Sequence, residues 1–247
     1  MVDKETCNKT WAGEVFGPNG SLARTRANYE AAFSPTEVRD ATVGLVSQLY
    51  TAAKQCLTRW REYRWRLDLA LWSARYILEA RRLAHWVYFK HFGELTHNQL
   101  DVLGALFFRL GDMEKAHECY EAALYTIYDI EREEEGGKFK PHEKGLVLCG
   151  VAKCRFALGL NPGTVGFFFQ DAKEIALGPA CDHNQSVRIL RAVGEYEATK
   201  GWRARAYDSL EEALKRAKEA SLPDQTLQCE QALAEARAKL DCHSRHH

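Results

Sequence analysis

The sequence predicts an all-α fold built from antiparallel helix pairs, and three observations support this prediction. Apolar residues recur at intervals of three and four, as they do along one face of a helix. Glycine and proline fall between the apolar stretches rather than inside most of them, which is where they end helices. No alternation of apolar and polar residues lasts long enough to indicate a strand. We therefore expect about eight to ten helices and no sheet.

Composition narrows the class of protein further. The chain has 247 residues, of which 46% are hydrophobic, and this is enough to bury a substantial core. Its 34 basic and 34 acidic residues leave no net charge, so total charge does not indicate a polyanionic partner. No apolar run reaches the roughly 18 residues that cross a bilayer, and the N-terminal region lacks the order of a signal peptide. Together with eight dispersed cysteines, these features predict a cytoplasmic protein in a reducing compartment, without a membrane segment.

The N-terminal part is predicted to contain an irregular leader at 1–22 and divergent helices at 23–96. A short helix is expected from about residue 22 to residue 33. The sequence "SPTE" then supplies Ser34 as an N-cap and Glu37 as the second half of a capping box. The helix that it opens is expected to end between residues 56 and 60.

Helical spacing continues after this point. Another helix is expected from about Trp65 to Phe92, and "THNQ" offers a cap at Thr96 or Asn98. Three helix pairs at 97–222 and a capping helix at 223–240 should follow. Their predicted bounds are 97–110 with 112–130, 142–158 with 164–177, 184–200 with 203–220, and 224–240.

One stretch carries a specific repeat motif. The sequence "VLGALFFRLGDMEKAHECYEAAL" at 102–124 has a Leu-Gly pair, an aromatic residue, a Gly-Asp turn and a second helix with small and apolar positions. These features are carried by Leu103, Gly104, Phe107, Gly111, Asp112, Ala116, Tyr120, Ala123 and Leu124. The stretch resembles a tetratricopeptide repeat. The resemblance implies a right-handed superhelix of stacked antiparallel helix pairs.

Two weaker copies follow the first. The turn glycine of the second copy, Gly159, lies 48 residues after Gly111, and that of the third copy, Gly201, lies 42 residues after Gly159. The usual period of such repeats is about 34 residues. The third copy repeats the small and apolar positions with Gly194, Ala206, Leu210, Ala213 and Leu214. The second copy has Ala152 but lacks the alanine expected after its turn, so it is interpreted as degenerate.

The resemblance also implies a binding site. In such repeats the first helix of each pair lines a groove that holds a peptide or a partner helix. The positions that match in this sequence are Asn98, Asp101, Phe108, Arg109, Lys153, Phe156, Arg188, Arg191 and Glu195. Arginine binds carboxylates in bidentate fashion, so this set suits an acidic segment or a C-terminal carboxylate beside an apolar side chain. The lysine and asparagine clamp of chaperone-binding members is not expected, because Asp101 and Ala105 occupy its positions.

The last helix offers an alternative occupant for this groove. Its sequence "LQCEQALAEARAKL" places Leu227, Leu233 and Ala234 on a predicted apolar stripe. The stripe would let the helix either fill the groove or cap the end of the stack, as terminal helices commonly do.

A second function class rests on the region 59–92. It carries seven arginines and Lys90 against three acidic residues, interleaved with aromatic residues, and such a surface can bind single-stranded RNA or DNA. Against this alternative, Trp60, Tyr63, Leu67 and Leu71 fall on one helical stripe, which more often packs in a core. In that case the four arginines of "TRWREYRWR" would form a basic rim that faces an acidic partner: Arg59, Arg61, Arg64 and Arg66.

No catalytic motif is recognised. The sequence has no glycine-rich phosphate loop, no His-Glu-x-x-His and no Gly-x-Ser-x-Gly. The spacing of Cys149, Cys154, Cys181 and His183 does not match a common zinc site, so no metal or other cofactor is expected. The sequence as a whole predicts a non-catalytic scaffold or adaptor, or a subunit of a larger assembly, with a protein partner and with nucleic acid as the alternative.

Overall fold

The regular structure is entirely helical in the residues that the computed structural model describes, which are 21–62, 67–132 and 140–243. This confirms the predicted all-α class. The helices are α1 (Ser21–Glu30), α2 (Pro35–Glu62), α3 (Leu67–His91), α4 (His97–Arg109), α5 (Met113–Arg132), α6 (Pro141–Leu158), α7 (Pro162–Leu177), α8 (His183–Thr199), α9 (Arg203–Glu219) and α10 (Pro223–His243). A 3-10 turn, Phe92–Glu94, follows α3. None of the helices in these ranges is both long and apolar enough to cross a bilayer.

Local capping chemistry explains where α2 and α4 begin. The Ser34 hydroxyl accepts a hydrogen bond from the Glu37 amide at 3.1 Å, and the Glu37 carboxylate accepts one from the Ser34 amide at 3.0 Å. Thr96 and Gln99 form the same reciprocal arrangement at the start of α4. Each box satisfies amides that lack a partner inside the helix. The two predicted N-termini are therefore confirmed.

The chain divides into two compact units, Met1–Leu95 and Thr96–His247. In the first unit, α1 packs on α2, and α2 pairs along its length with α3. The core between α2 and α3 is formed by small and aliphatic side chains, including Val46, Leu49, Ala53, Ala80 and Val87. The buried Ser73 hydroxyl donates a hydrogen bond to the Ala53 carbonyl oxygen at 2.9 Å, so this buried polar side chain has a partner.

The outward face of α3 corrects one sequence-based expectation. Leu71, which its spacing in the sequence predicts to lie on a core stripe, is 72% exposed, and Leu78 is 66% exposed. The buried face of α3 consists instead of Leu69, Tyr76, Ala80, Leu83, Ala84 and Val87. Both faces of α3 carry apolar residues at helical spacing, so periodicity alone could not tell which face packs on α2.

The second unit is a row of packed helix pairs. Contacts join α4 with α5, α6 with α7, and α8 with α9, and each pair also contacts the next one along the chain. The first helices of successive pairs touch as well, so that α4, α6, α8 and α10 form a continuous layer. This arrangement is compatible with a helical-repeat fold.

The three turns within the pairs each contain a glycine in the left-handed backbone conformation. Gly111, Gly159 and Gly201 have φ angles of 81°, 68° and 74°. This left-handed conformation is strained for residues with a Cβ, so glycine is favoured where the first helix must end and the chain must reverse. The glycines that marked the turns in the sequence therefore occupy the positions predicted for them.

Tyr120 of α5 connects two consecutive first helices. A Cβ atom added at Gly104 on α4 would lie 3.0 Å from the Tyr120 ring, and one added at Gly150 on α6 would overlap the ring. The ring therefore fits between two helices that expose bare backbone to it. In the third pair, Leu210 takes the equivalent place against Gly194, where an added Cβ would lie 2.6 Å from the Leu210 Cγ atom.

The second pair follows the same packing scheme with a shift of one residue. Val165, Phe169 and Ala172 are buried at the places that Ala116, Tyr120 and Ala123 take in the first pair. The shift arises in the turn before α7, where Asn161 has a φ angle of 40°. The alanine missing from the second copy is thus replaced by Val165, one position later.

The last helix extends the row. The main contacts of α10 are with α8 and α9, to which it presents Cys229, Leu233, Ala236 and Leu240. The predicted stripe was partly wrong, because Leu227 is 56% exposed and Ala234 is also exposed. Packing against two helices at once selects a different face from the one that the apolar residues suggested.

Changing Gly150 to alanine tests the packing of Tyr120. The added methyl group would overlap the ring, so we expect a loss of about 1–3 kcal/mol in the free energy of unfolding. Urea unfolding followed by circular dichroism measures this loss. The matched control is Gly163→Ala, where an added Cβ meets nothing within 4 Å and should leave stability unchanged or slightly raised. Equal stability of the two variants would contradict the packing described here.

Candidate functional site

The predicted partner-binding residues lie on three consecutive first helices. Helix α4 carries Asn98, Asp101, Phe108 and Arg109, helix α6 carries Lys153 and Phe156, and helix α8 carries Arg188, Arg191 and Glu195. We call the side of α4, α6 and α8 that bears these charged residues the first-helix face. Residues far apart in sequence are brought near one another here because the three helices pack side by side.

Asp101 lies at the centre of the charges on this face. Burial raises the pKa of its carboxyl from 3.8 to about 6, while Arg188 and Arg109 act in the opposite direction. Glu143 raises this pKa further and His97 lowers it. Side chains from three first helices are therefore close enough to influence one carboxyl group.

Cys149 forms part of the floor of the face. Its side chain is only 4% exposed, and burial raises the pKa of the thiol to about 12. Lys153 and Arg188 lower this pKa, whereas Asp101 and Glu195 raise it. At neutral pH the thiol is protonated and is a poor nucleophile, so Cys149 acts as a small buried side chain.

Asn98 is engaged in holding two first helices together. The Glu143 carboxylate on α6 lies 3.3 Å from His97 Nε2 on α4, and it also accepts a hydrogen bond from Asn98. Burial opposes ionisation of Glu143, but hydrogen bonds from the Lys140 amide, His97 and Asn98 lower its pKa overall. Asn98 thus has a structural partner, which the sequence did not indicate.

The cations of the face differ in how they are engaged. Arg191 hydrogen-bonds Gln228 of α10 and lies 3.5 Å from the Glu195 carboxylate. Arg188 donates a hydrogen bond to Gln185 at 2.7 Å on its own helix. Lys153 makes no ion pair and no hydrogen bond within the described ranges. Lys153 and Arg188 are therefore the cations with the most remaining capacity for a carboxylate.

Phe156 contributes to an aromatic cluster that sequence analysis did not find. It is 44% exposed and meets the Tyr196 ring edge-on at 5.7 Å between centroids. Tyr196 in turn stacks on Phe169 at 4.3 Å and meets Trp202 at 6.1 Å. The only signal in the sequence was the presence of aromatic residues on both sides of the Gly201 turn. The other predicted aromatic residue, Phe108, is half-buried on α4.

The predicted basic rim falls mostly outside the described residues. Arg59 is half-buried on α2, and Arg61 belongs to the same helix, but its side chain is not described. Arg64 and Arg66 lie between the described ranges. The rim therefore stays a prediction.

Within the described ranges, no three histidine, cysteine, aspartate or glutamate side chains are placed to hold a metal ion together. Cys149, Cys154 and Cys181, which the sequence grouped with His183, are free and buried. We find no arrangement around them that suggests a metal centre.

The chain was also compared with known proteins. No family model matches it, and no curated protein is similar to it. The likeness to tetratricopeptide repeats therefore rests on the motif at 102–124 and on the packing of the helix pairs.

Changing Asp101 to asparagine tests the electrostatics of the face. A raised pKa means that the folded protein holds this proton more tightly than the unfolded chain, so stability falls as pH rises from about 4 to about 6. We expect Asp101→Asn to stabilise the protein at pH 7.5 by about 1–3 kcal/mol and to have little effect below pH 4. Urea unfolding across this pH range measures the difference.

The control is Asp208→Asn, which removes an exposed carboxylate from α9. It corrects for the change in net charge. If Asp101→Asn destabilises the protein at pH 7.5, the carboxylate is better paired than we describe.

Proposed function

We propose that the second unit, Thr96–His247, is a divergent tetratricopeptide-like domain that binds an acidic segment of a partner protein on its first-helix face. The protein would act as a non-catalytic scaffold or adaptor, or as a subunit of a larger assembly. One observation carries the proposal: charged side chains from three first helices converge around Asp101 and Cys149.

The balance of charges supports an acidic partner. Arg109, Lys153, Arg188 and Arg191 outnumber Asp101 and Glu195 among the predicted binding residues. The arginine side chain can hold a carboxylate through two parallel hydrogen bonds. The apolar part of such a segment would contact Phe108 and Phe156, which border the charged residues in sequence.

The effect of Asp101 on the stability of the protein is a second argument for a functional site. An ionised carboxylate that is partly withdrawn from water lowers stability, and stability would rise if an uncharged side chain replaced it. Residues that reduce stability are concentrated at sites of function, because selection retains them for another reason. In the proposed complex, Asp101 would fix the orientation of Arg188 and Arg109 toward the ligand.

Charge reversal on α8 tests the proposal. The tagged full-length protein and its Arg188→Glu, Arg191→Glu double variant are purified from cells under the same conditions, and the co-purifying proteins are identified by mass spectrometry. We expect at least a tenfold loss of the specific partner in the double variant, because two attractive contacts become repulsive.

A matched control accompanies this experiment. The Lys215→Glu, Lys218→Glu variant reverses two exposed charges on α9 and should keep the partner. Circular dichroism shows whether each variant is folded. Undiminished capture by the α8 variant would rule out the first-helix face as the binding site.

Nucleic-acid binding by the first unit is the second candidate, and one observation favours it. Helix α3 exposes Trp72 with the Arg75 guanidinium 5.3 Å from its ring centroid, and Arg81 and Arg82 are exposed on the same helix. Arginines and aromatic rings together suit single-stranded RNA. The strongly exposed Leu71 and Leu78 on this helix favour a protein contact instead.

Fluorescence anisotropy with a labelled single-stranded RNA distinguishes these possibilities. The RNA hypothesis predicts an affinity that falls steeply between about 50 and 200 mM salt. It also predicts that Arg75→Gln with Arg82→Gln weakens binding. If the chain instead binds a protein, we expect no binding of the labelled RNA. The proteins that co-purify with the tagged chain should then remain bound after nuclease treatment.

A further inference from the structure

A cleft between α7, α8 and the start of α9 lies beside the Phe156 cluster. It encloses about 360 Å³ and is bordered by Gly163, Gly166, Phe169, Tyr196, Trp202 and Arg205. We call it the aromatic cleft. None of the partner-binding residues predicted from the sequence lines it, although Phe156 lies next to its Tyr196 wall.

Aromatic rings form the wall of the cleft. Phe169 and Tyr196 stack with 4.3 Å between their ring centroids and 23° between their ring planes. Trp202 stands edge-on to Tyr196 at 6.1 Å. Flat apolar walls of this kind accept another ring in a stacked or edge-on arrangement.

The side of the cleft formed by α7 is left open by two glycines. A Cβ atom at Gly163 would meet nothing within 4 Å, and one at Gly166 would meet only the Tyr196 hydroxyl at 3.9 Å. Tyr196 is 6% exposed, yet its hydroxyl has no hydrogen-bond partner within the described ranges. The hydroxyl oxygen itself is not buried, so it is available to donate a hydrogen bond to a ligand in the cleft.

Two cations lie over aromatic rings of the cleft and of its neighbour Phe156. Lys200 Nζ lies 5.0 Å from the Phe156 ring centroid and 5.6 Å from that of Tyr196, and the Arg205 guanidinium lies 5.2 Å from the Trp202 centroid. Neither cation forms an ion pair within the described ranges. Both therefore retain their capacity to bind an anion.

The one carboxylate at the cleft does not compete for these cations. Glu197 is buried and accepts a hydrogen bond from the Ser209 hydroxyl at 2.6 Å. The Lys173 ammonium lies 3.6 Å from it and donates to Ser209 at 2.8 Å. Its charge is thus compensated by Lys173 and Ser209 rather than by Lys200 and Arg205.

We propose that the aromatic cleft binds an aromatic side chain of a partner protein that is flanked by acidic residues. The ring would lie against Tyr196 and Trp202, and the neighbouring carboxylates would pair with Lys200 and Arg205. This inference rests on the proposed function only in that the partner is a protein. It adds a second contact site with its own ligand preference.

Three short peptides test the proposal against the ¹⁵N-labelled full chain by nuclear magnetic resonance. Acetyl-Asp-Phe-Asp-amide should shift the Trp202 indole and neighbouring signals, with a dissociation constant on the order of 1 mM. Acetyl-Asn-Phe-Asn-amide, which lacks the charges, should bind about three- to fivefold more weakly at low salt. Acetyl-Asp-Ala-Asp-amide, which lacks the ring, should cause no saturable shift.

Two variants complete the design. Gly166→Leu fills the cleft from a helical position where leucine is well tolerated, and should weaken binding of the charged aromatic peptide at least tenfold. Lys200→Gln with Arg205→Gln changes only exposed side chains, and should remove the preference for aspartate over asparagine.

The proposal is overturned if the charged and uncharged aromatic peptides bind equally well to the unmodified chain. The proposal is also overturned if a folded Gly166→Leu variant binds the charged aromatic peptide as well as the unmodified chain does. It is overturned as well if 10 mM peptide, about ten times the expected dissociation constant, causes no shift. These outcomes are independent of charge reversal at Arg188 and Arg191. Failure of the aromatic-cleft proposal therefore does not contradict the proposed binding site on the first-helix face. Failure of the first-helix face likewise does not contradict the aromatic-cleft proposal.

Discussion

The second unit depends on the fit of one aromatic ring between two bare stretches of helix. Tyr120 lies against Gly104 of its own pair and Gly150 of the next pair, so it sets the separation of α4 and α6. The same principle recurs where Leu210 meets Gly194. Helices that approach this closely align their outward residues, and this alignment brings Asp101 near Arg188. The charge pattern of the face is thus a consequence of packing between small and large residues.

Much of the fold could be predicted because its signals are local. Capping boxes at Ser34 and Thr96 and the glycines at the turns depend on nearby residues alone. The second repeat was harder to see, because one residue in its turn shifts Val165 and Phe169 out of register. The packed faces of α3 and α10 were mistaken for a similar reason. Both helices have apolar residues on more than one side, and only tertiary contacts decide which side is buried.

The two candidate sites of the second unit differ in what the sequence reveals about them. The positions of the first-helix face follow from the repeat motif, although the pairing of Asn98 with Glu143 does not. The aromatic cleft requires knowledge of three helices at once. Phe169, Tyr196 and Trp202 come from separate elements and meet only after folding. Both sites place cations beside apolar surface, and for this reason an acidic partner is proposed for each of them.

The most direct test of the central claim places a photo-crosslinking residue on the first-helix face in living cells. Benzoylphenylalanine at Ala157, an exposed position on α6 one turn after Lys153, leaves every proposed binding charge in place. The same residue at Lys215 on α9 serves as the control. If the first-helix face binds the partner, a discrete crosslinked protein should form from position 157 and none from position 215. Equal crosslinking at both positions, or crosslinking from position 215 alone, would contradict it.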